Sequence, residues 1–281
     1  MGGLGNQLFQ IFATISLALS TGKVFLFPYS ETLTVGVTRQ TYWHTLLDGL
    51  LNNTTWKTAE RDNPRIHNLP QIEEKGFEHD ELLLIRTNFE KNPACLLGYF
   101  QSYKYFEKNY DTIITLIGLR AKQEEIRNKT ALIHNRKTVS LHFRLGDYVS
   151  KQNYHPILSI KYYMNALTHM INNVGSDSVR VIYFGEKDDE TTIKICIQIL
   201  TKKFPTLEFV RADVEEDWEQ MLLMSLCDHN IIANSSFSWW GAYLNANPNK
   251  IVCYPTVWFG PSLANHNTKD LCPSAWQRII M

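Results

Sequence analysis

The chain has 281 residues, of which 44% are hydrophobic and 20% charged, an ordinary globular composition long enough for roughly two domains of about 140 residues. Its 28 basic residues balance 28 acidic ones, so no global field draws in nucleic acid or anionic lipid, and any anion site must be local. The cysteines (Cys95, Cys196, Cys227, Cys253 and Cys272) are odd in number and form no C-x-x-C pair, which argues against a disulfide framework and against a zinc site.

The chain opens on Gly2-Gly3-Leu4-Gly5-Asn6-Gln7. A glycine-rich loop at a helix start offers free backbone N–H groups, and Asn6 and Gln7 add side-chain amides. The spacing is not G-x-G-x-x-G and no strand precedes it, so a dinucleotide fingerprint is disfavoured. Leu8 to Leu19 is apolar on nearly every side, which predicts a buried helix ended by Thr21-Gly22. The same run lacks a preceding Lys or Arg and contains Gln10, unlike a signal peptide. No run approaches the roughly 18 apolar residues of a membrane span. Met1-Gly2 hints at myristoylation, but Asn6 stands where Ser or Thr is wanted. A cytoplasmic chain is expected, with peripheral membrane association left open.

Lys23 to Pro28 predicts a short buried strand. From Tyr29 to Asn92 the periodicity is poor. A strand or turn is expected within Thr32 to Thr41, a short helix over Trp43 to Leu51, and a polar connection over Asn52 to Pro70. This irregular, aromatic-rich region suits a variable acceptor surface, and a plain long connection equally well. Cys95 to Ser102 reads as a buried strand. Tyr103 to Tyr110 and Ile113 to Arg136 read as helical, and Asn135-Arg136-Lys137 marks the expected domain boundary, giving domains 1–136 and 137–281.

The C-terminal half alternates regularly. Strands are expected at Val139 to Arg144, Val179 to Phe184, Leu207 to Val210, Asn230 to Ala233 and Lys250 to Tyr254. Helices are expected between them, at Ser159 to Asn172, Thr191 to Phe204, Asp217 to Cys227 and Phe237 to Leu244. This βα alternation predicts an α/β fold with a parallel sheet and right-handed crossovers.

Two stretches carry chemistry. Leu141-His142-Phe143-Arg144-Leu145-Gly146-Asp147-Tyr148 ends a strand in polar side chains, at the carboxyl edge where α/β sheets bind ligands. Strand alternation would place His142 and Arg144 on one face and Leu141 and Phe143 on the other. Taken alone, the octapeptide is equally compatible with a surface strand end and a solvated ion pair. Asn234-Ser235-Ser236-Phe237 follows a second strand and opens a helix whose first N–H groups suit a phosphate. An ordinary helix cap is the competing reading. Both stretches fall at the same sheet edge, so Arg144, with its bidentate fork, and the serine hydroxyls together suggest a diphosphate clamp.

GGLGNQ before an apolar helix, H-x-R-x-G-D-Y after a strand and N-S-S-F-S-W-W-G-A-Y-L near the C-terminus together resemble the α-1,2-fucosyltransferases. That resemblance implies two Rossmann-like domains facing across a cleft (GT-B type), GDP-fucose as donor, an oligosaccharide acceptor and inversion without metal or other cofactor. By resemblance, His142 and Arg144 contact the donor and Asp147 orients their loop. Ser235, Ser236 and Phe237 hold phosphate and nucleoside, Glu186 meets the guanine, and Asn6 lies near the reacting sugar. Gly5, Gln7, Tyr148 and Asn234 complete the implied substrate contacts. The chain departs from the family's pattern at Leu145, where a second Arg is common, at Gln220, where an acid is usual, and in lacking a strand before the glycine loop.

Departure of GDP demands charge neutralisation, and without a D-x-D motif a cation and a helix N-terminus are the natural agents. Loss of Arg144 would then cost roughly 2–5 kcal/mol. His142 and Asp147 are candidate bases, as are carboxylates of residues 29–92. Two other functions fit the same motifs: a transferase using another nucleotide sugar, and a catalytically silent glycan-binding module.

Overall fold

The computed structural model describes residues 2–34, 36–56, 69–83, 93–175 and 179–281. Most of the connection expected over 52–70 and part of the irregular region up to 92 lie outside them. The chain divides into two compact units, Met1–Lys122 with His266–Pro273, and Gln123–Asn265 with Ser274–Met281.

The first unit is built on helix α1 (Leu4–Thr21), as the all-round apolar pattern predicts. Gly22 ends it in the left-handed conformation (φ 64°), which lets the Gly22 and Lys23 N–H groups reach the carbonyls of Leu19 and Ala18. Phe9 and Phe12 are fully buried against Phe106, with ring centroids at 6.0 and 5.4 Å. Among the described residues two small sheets follow. β1 (Thr32–Leu33) and β2 (Arg39–Gln40) pair antiparallel, whereas β3 (Gln71–Glu73) and β4 (Cys95–Leu97) pair parallel. Helices α2 (Tyr110–Leu116) and α3 (Leu119–Lys129) are separated by Gly118 at φ 65°.

Three expectations need correction here. Lys23 to Pro28 is not a buried strand: Val24 is 98% exposed, and only Phe27 bridges to Thr54. The apolar run misled because its side chains are divided between solvent and a Phe25–Phe27–Trp43 cluster. The strand at Cys95 spans only Cys95–Leu97 and is half exposed. Phe100, at φ 54°, turns the chain out of extended geometry. The long helix expected to Arg136 stops at Lys129, beyond which Thr130 bonds the Asp213 carboxylate.

Among the described residues the second unit holds six strands: β5 (Lys137–His142), β6 (Val179–Phe184), β7 (Glu208–Arg211), β8 (His229–Ile231), β9 (Val252–Pro255) and β10 (Gln277–Ile279). Between β5 and β9 the crossovers carry α4 (Ile160–Val174), α5 (Glu190–Lys203), α6 (Asp217–Leu226) and α7 (Ser236–Tyr243). All six strands are parallel, in the order β10-β9-β8-β5-β6-β7. Within this unit β5 is the first strand. The chain therefore builds outward through β6 and β7, returns to place β8 on the other side of β5, and continues to β9 and β10. This is the order of a dinucleotide-binding sheet, with its switch point between β5 and β8.

A core of Val139, Leu141, Phe143, Tyr162, Leu167, Val181, Leu200 and Ile231, among others, packs this sheet against its helices. A buried polar network fixes the central strand pair. Asn230 Nδ2 donates to Ser140 Oγ at 2.7 Å and to the Met224 carbonyl at 2.8 Å. Asn245 in turn donates to Asn230 Oδ1 at 2.9 Å. These bonds hold β8 in register with β5, where Ser140 faces Asn230. Ser159 stands at the N-cap of α4, but its side chain makes no capping bond.

Candidate active site

The two motif-bearing strands are the two that flank the switch point. β5 ends at His142, so Arg144 lies beyond the strand, and the alternation expected from Val139 to Arg144 does not extend to it. His142 is buried together with Leu141 and Phe143 (His142 6% exposed). Its ring leans on Phe237 at the start of α7, with centroids 5.5 Å apart. Its Nδ1 has no hydrogen-bond partner among the described residues. Burial, assisted by the Arg144 charge, pushes its pKa down to about 3, so the ring is neutral.

Arg144 is only partly exposed and sits between two acids. One guanidinium nitrogen meets Asp147 three residues on, and the other meets Glu186 from the loop after β6. The guanidinium carbon also lies 4.8 Å from the Tyr148 ring centroid. Asp147 additionally receives Lys151 at 3.3 Å. Leu145 turns into the hydrophobic core; a second arginine there would carry its stem toward apolar surroundings. Gly146 adopts φ 39°, and a Cβ on it would lie 2.8 Å from both Glu186 carboxylate oxygens. Its backbone N–H donates to Asp189 Oδ2 at 2.7 Å.

Across the switch point, Ser235 is the N-cap of α7 and its hydroxyl oxygen accepts the Phe237 N–H at 3.3 Å. That leaves the hydroxyl proton of Ser235 available for donation. No acidic residue lies in the first turn of α7, so the positive end of its dipole is not offset within the helix. Ser236 begins the helix, half-buried beside Phe237. Asn234 is buried, and its amide donates to the carbonyls of Pro156 (2.9 Å) and Trp258 (3.2 Å). The Asn234 backbone carbonyl accepts the Tyr148 hydroxyl at 3.2 Å. Thus Tyr148 and Asn234 tie the two loops together. Gln220 bonds the Glu215 carbonyl, and Glu219 is engaged by Lys129 at 2.6 Å.

Gly5, Asn6 and Gln7 lie in the first unit, on the opening turns of α1. Gln7 is buried and donates to the carbonyls of Gly2 and Gln40 at 3.1 and 2.9 Å. Asn6 Oδ1 accepts a bond from Gln101 Nε2 at 2.8 Å. Gln101 is in turn placed by its neighbours, because Glu74 accepts the backbone N–H groups of Tyr99 and Phe100 at 2.8 and 2.9 Å. Burial raises the Glu74 pKa despite those bonds. Asp189, Gln101 and Glu74 were not singled out by the sequence. Asp189 is visible there only as one acid in the run Glu186-Lys187-Asp188-Asp189, and the short 3-10 turn decides which member reaches Gly146. Among the described residues no group of three or more His, Cys, Asp or Glu side chains is arranged to hold a metal ion. No helix there is long and apolar enough to cross a membrane.

The profile described as Glycosyl transferase family 11 matches residues 50–270, a span that includes β5, β8 and both loops. The chain belongs to glycosyltransferase family 11. Among its relatives, the O-antigen biosynthesis glycosyltransferase WbnK of Escherichia coli is 31% identical over 66% of this chain and 61% of that protein. The chain thus spans less than two thirds of that relative. An α-1,2-colitosyltransferase of Escherichia coli is 27% identical over 99% of this chain and 96% of that protein. The α/β architecture is of the GT-B type. It is similar in fold to the crystal structure of POFUT1 in complex with GDP-fucose, with a TM-score of 0.50 and 11% identity over 90% of this chain and 95% of that one.

Proposed function

We propose that this glycosyltransferase moves L-fucose from GDP-β-L-fucose to the 2-OH of a terminal galactose on an acceptor glycan, giving an α-1,2 linkage with inversion and without metal. One observation carries the reading: the strands that lead into Arg144 and into the start of α7 are the two that flank the switch point, β5 and β8. A cation and a helix N-terminus with no acidic residue in its first turn, at one sheet edge, suit a diphosphate.

In this reading Arg144 takes up the charge that develops on the departing GDP, and Ser235, Ser236 and the first N–H groups of α7 share it. Asp147 and the Tyr148 ring hold Arg144 in place. His142, held neutral, is too weak a base to accept the acceptor's proton near pH 7. It serves as a neutral hydrogen-bonding ring beside Phe237. The N-terminal unit, with Asn6 set by Gln101, binds the acceptor, and positioning of both substrates supplies much of the rate.

A second reading is favoured by the likeness to the colitosyltransferase over nearly the whole chain: the same chemistry with a colitosyl donor. Mass spectrometry of a terminal-galactose acceptor panel incubated with GDP-fucose, with and without excess EDTA, tests the proposal. Products heavier by one fucosyl residue are expected in both arms. Glycan binding without transfer would instead indicate a silent module, and transfer lost in EDTA and restored by a divalent ion would refute the metal-free part.

A further inference from the structure

Arg144 is not a free cation in this structure. Each end of its guanidinium fork faces a carboxylate, Asp147 on one side and Glu186 on the other. A phosphate that takes a two-pronged hold of this fork competes with both acids for its N–H donors. The two acids differ in how readily they can yield.

Asp147 belongs to the same loop as Arg144 and is also engaged by Lys151 at 3.3 Å. Glu186 comes from a different loop, with its side chain 52% exposed against 36% for Asp147. It precedes a short 3-10 turn in extended backbone geometry. Its carboxylate fills the space over Gly146 that any Cβ would take, lying 2.8 Å from that position. With Glu186 displaced, Arg144 would still be held by Asp147 and by the Tyr148 ring at 4.8 Å.

We propose that Glu186 is a placeholder for the donor's diphosphate: its carboxylate, which occupies one end of the Arg144 fork in this structure, is exchanged for the phosphate when donor binds. This rests on the donor-site reading above and deepens it, because it makes Glu186 a residue that sets donor affinity by competition. A contact from Glu186 to guanine and a seat on Arg144 would then be successive, with the carboxylate leaving one for the other.

Calorimetric titration of inorganic pyrophosphate and of GDP into wild type, Glu186→Gln and Glu215→Gln tests this. Gln keeps the size of Glu186 and removes the competing charge. Glu215, an exposed acid paired with Lys187 at 3.6 Å, controls for a general change of field. Pyrophosphate should bind Glu186→Gln roughly two- to fivefold more tightly than wild type, the range a partly exposed ion pair commands, and Glu215→Gln as wild type does. A gain for pyrophosphate with a loss for GDP also supports the exchange and adds a base contact. Unchanged or weaker pyrophosphate binding by Glu186→Gln, or an equal gain in Glu215→Gln, overturns the placeholder alone. Wild type that binds neither ligand overturns the donor-site reading and the placeholder together.

Discussion

Asp189 Oδ2 accepts the backbone N–H of Gly146 at 2.7 Å, joining the loop after β6 to the loop after β5. The bond fixes the turn that follows Arg144. Replacing Asp189 by Ala should weaken GDP binding severalfold at a stability cost of about 1 kcal/mol, the size of one hydrogen bond. Asp189→Asn, which keeps an acceptor oxygen, should restore most of the affinity. Equal loss in both variants would mean that the carboxylate's charge matters and the bond does not.

Ser235 caps α7 through the Phe237 N–H at 3.3 Å. Ser235→Ala should lower unfolding stability by about 1 kcal/mol, measurable as a shift in urea midpoint with unchanged slope. The α7 start should lose anion affinity as well, because a disordered first turn no longer aims its N–H groups. Unaltered stability would show that the cap contributes nothing here.

The central β5–β8 register depends on Asn230, fully buried between Ser140, Met224 and Asn245. Asn230→Leu strands those partners, at about 1–3 kcal/mol for each group left unsatisfied. Denaturant unfolding should show one of the larger single-site losses in the chain. A near-neutral result would mean that the strand pair is held by packing alone.

His142 gives a pH signature. Its pKa falls from 6.5 to about 3 because burial penalises the charged ring, with Arg144 adding to the effect. Between those values the unfolded chain takes up a proton that the folded chain refuses. Its contribution is fully present above pH 6.5 and is lost as pH drops toward about 3. His79 and His229 lean the same way, so the measurement is a difference: any stability gap between wild type and His142→Asn should narrow from pH 7 to pH 4.5. A constant gap would mean that His142 titrates normally.

How much of this was legible beforehand differs between the halves. Five of the six strands of the C-terminal sheet could be read from the sequence, since buried parallel strands are short apolar runs separated by helices with a clear apolar stripe; the edge strand β10 was missed, because it is only three residues long and two of them are exposed. The motif residues at its edge were legible for the same reason. The N-terminal half was legible at α1 but not in the segment that follows it, where an apolar run faces both solvent and core: Lys23 to Pro28 looked like a strand and holds a single bridge. At the site, the sequence pointed to Arg144 and Glu186 separately. Their pairing arises from two loops 42 positions apart meeting at one sheet edge, and no spacing rule encodes it. Gln101 reaching Asn6 across 95 positions is the same kind of contact.

Arg144, beside the β5–β8 switch point, is the proposed grip on a GDP-linked donor. Calorimetric titration of GDP-fucose into wild type, Arg144→Ala and Arg144→Lys tests it most directly. Wild type should bind, and Arg144→Ala should lose well over tenfold in affinity, in line with roughly 2–5 kcal/mol for a truncated charge contact. Lys, which lacks the planar fork, should recover only part of that. Equal affinity in all three proteins would contradict the account.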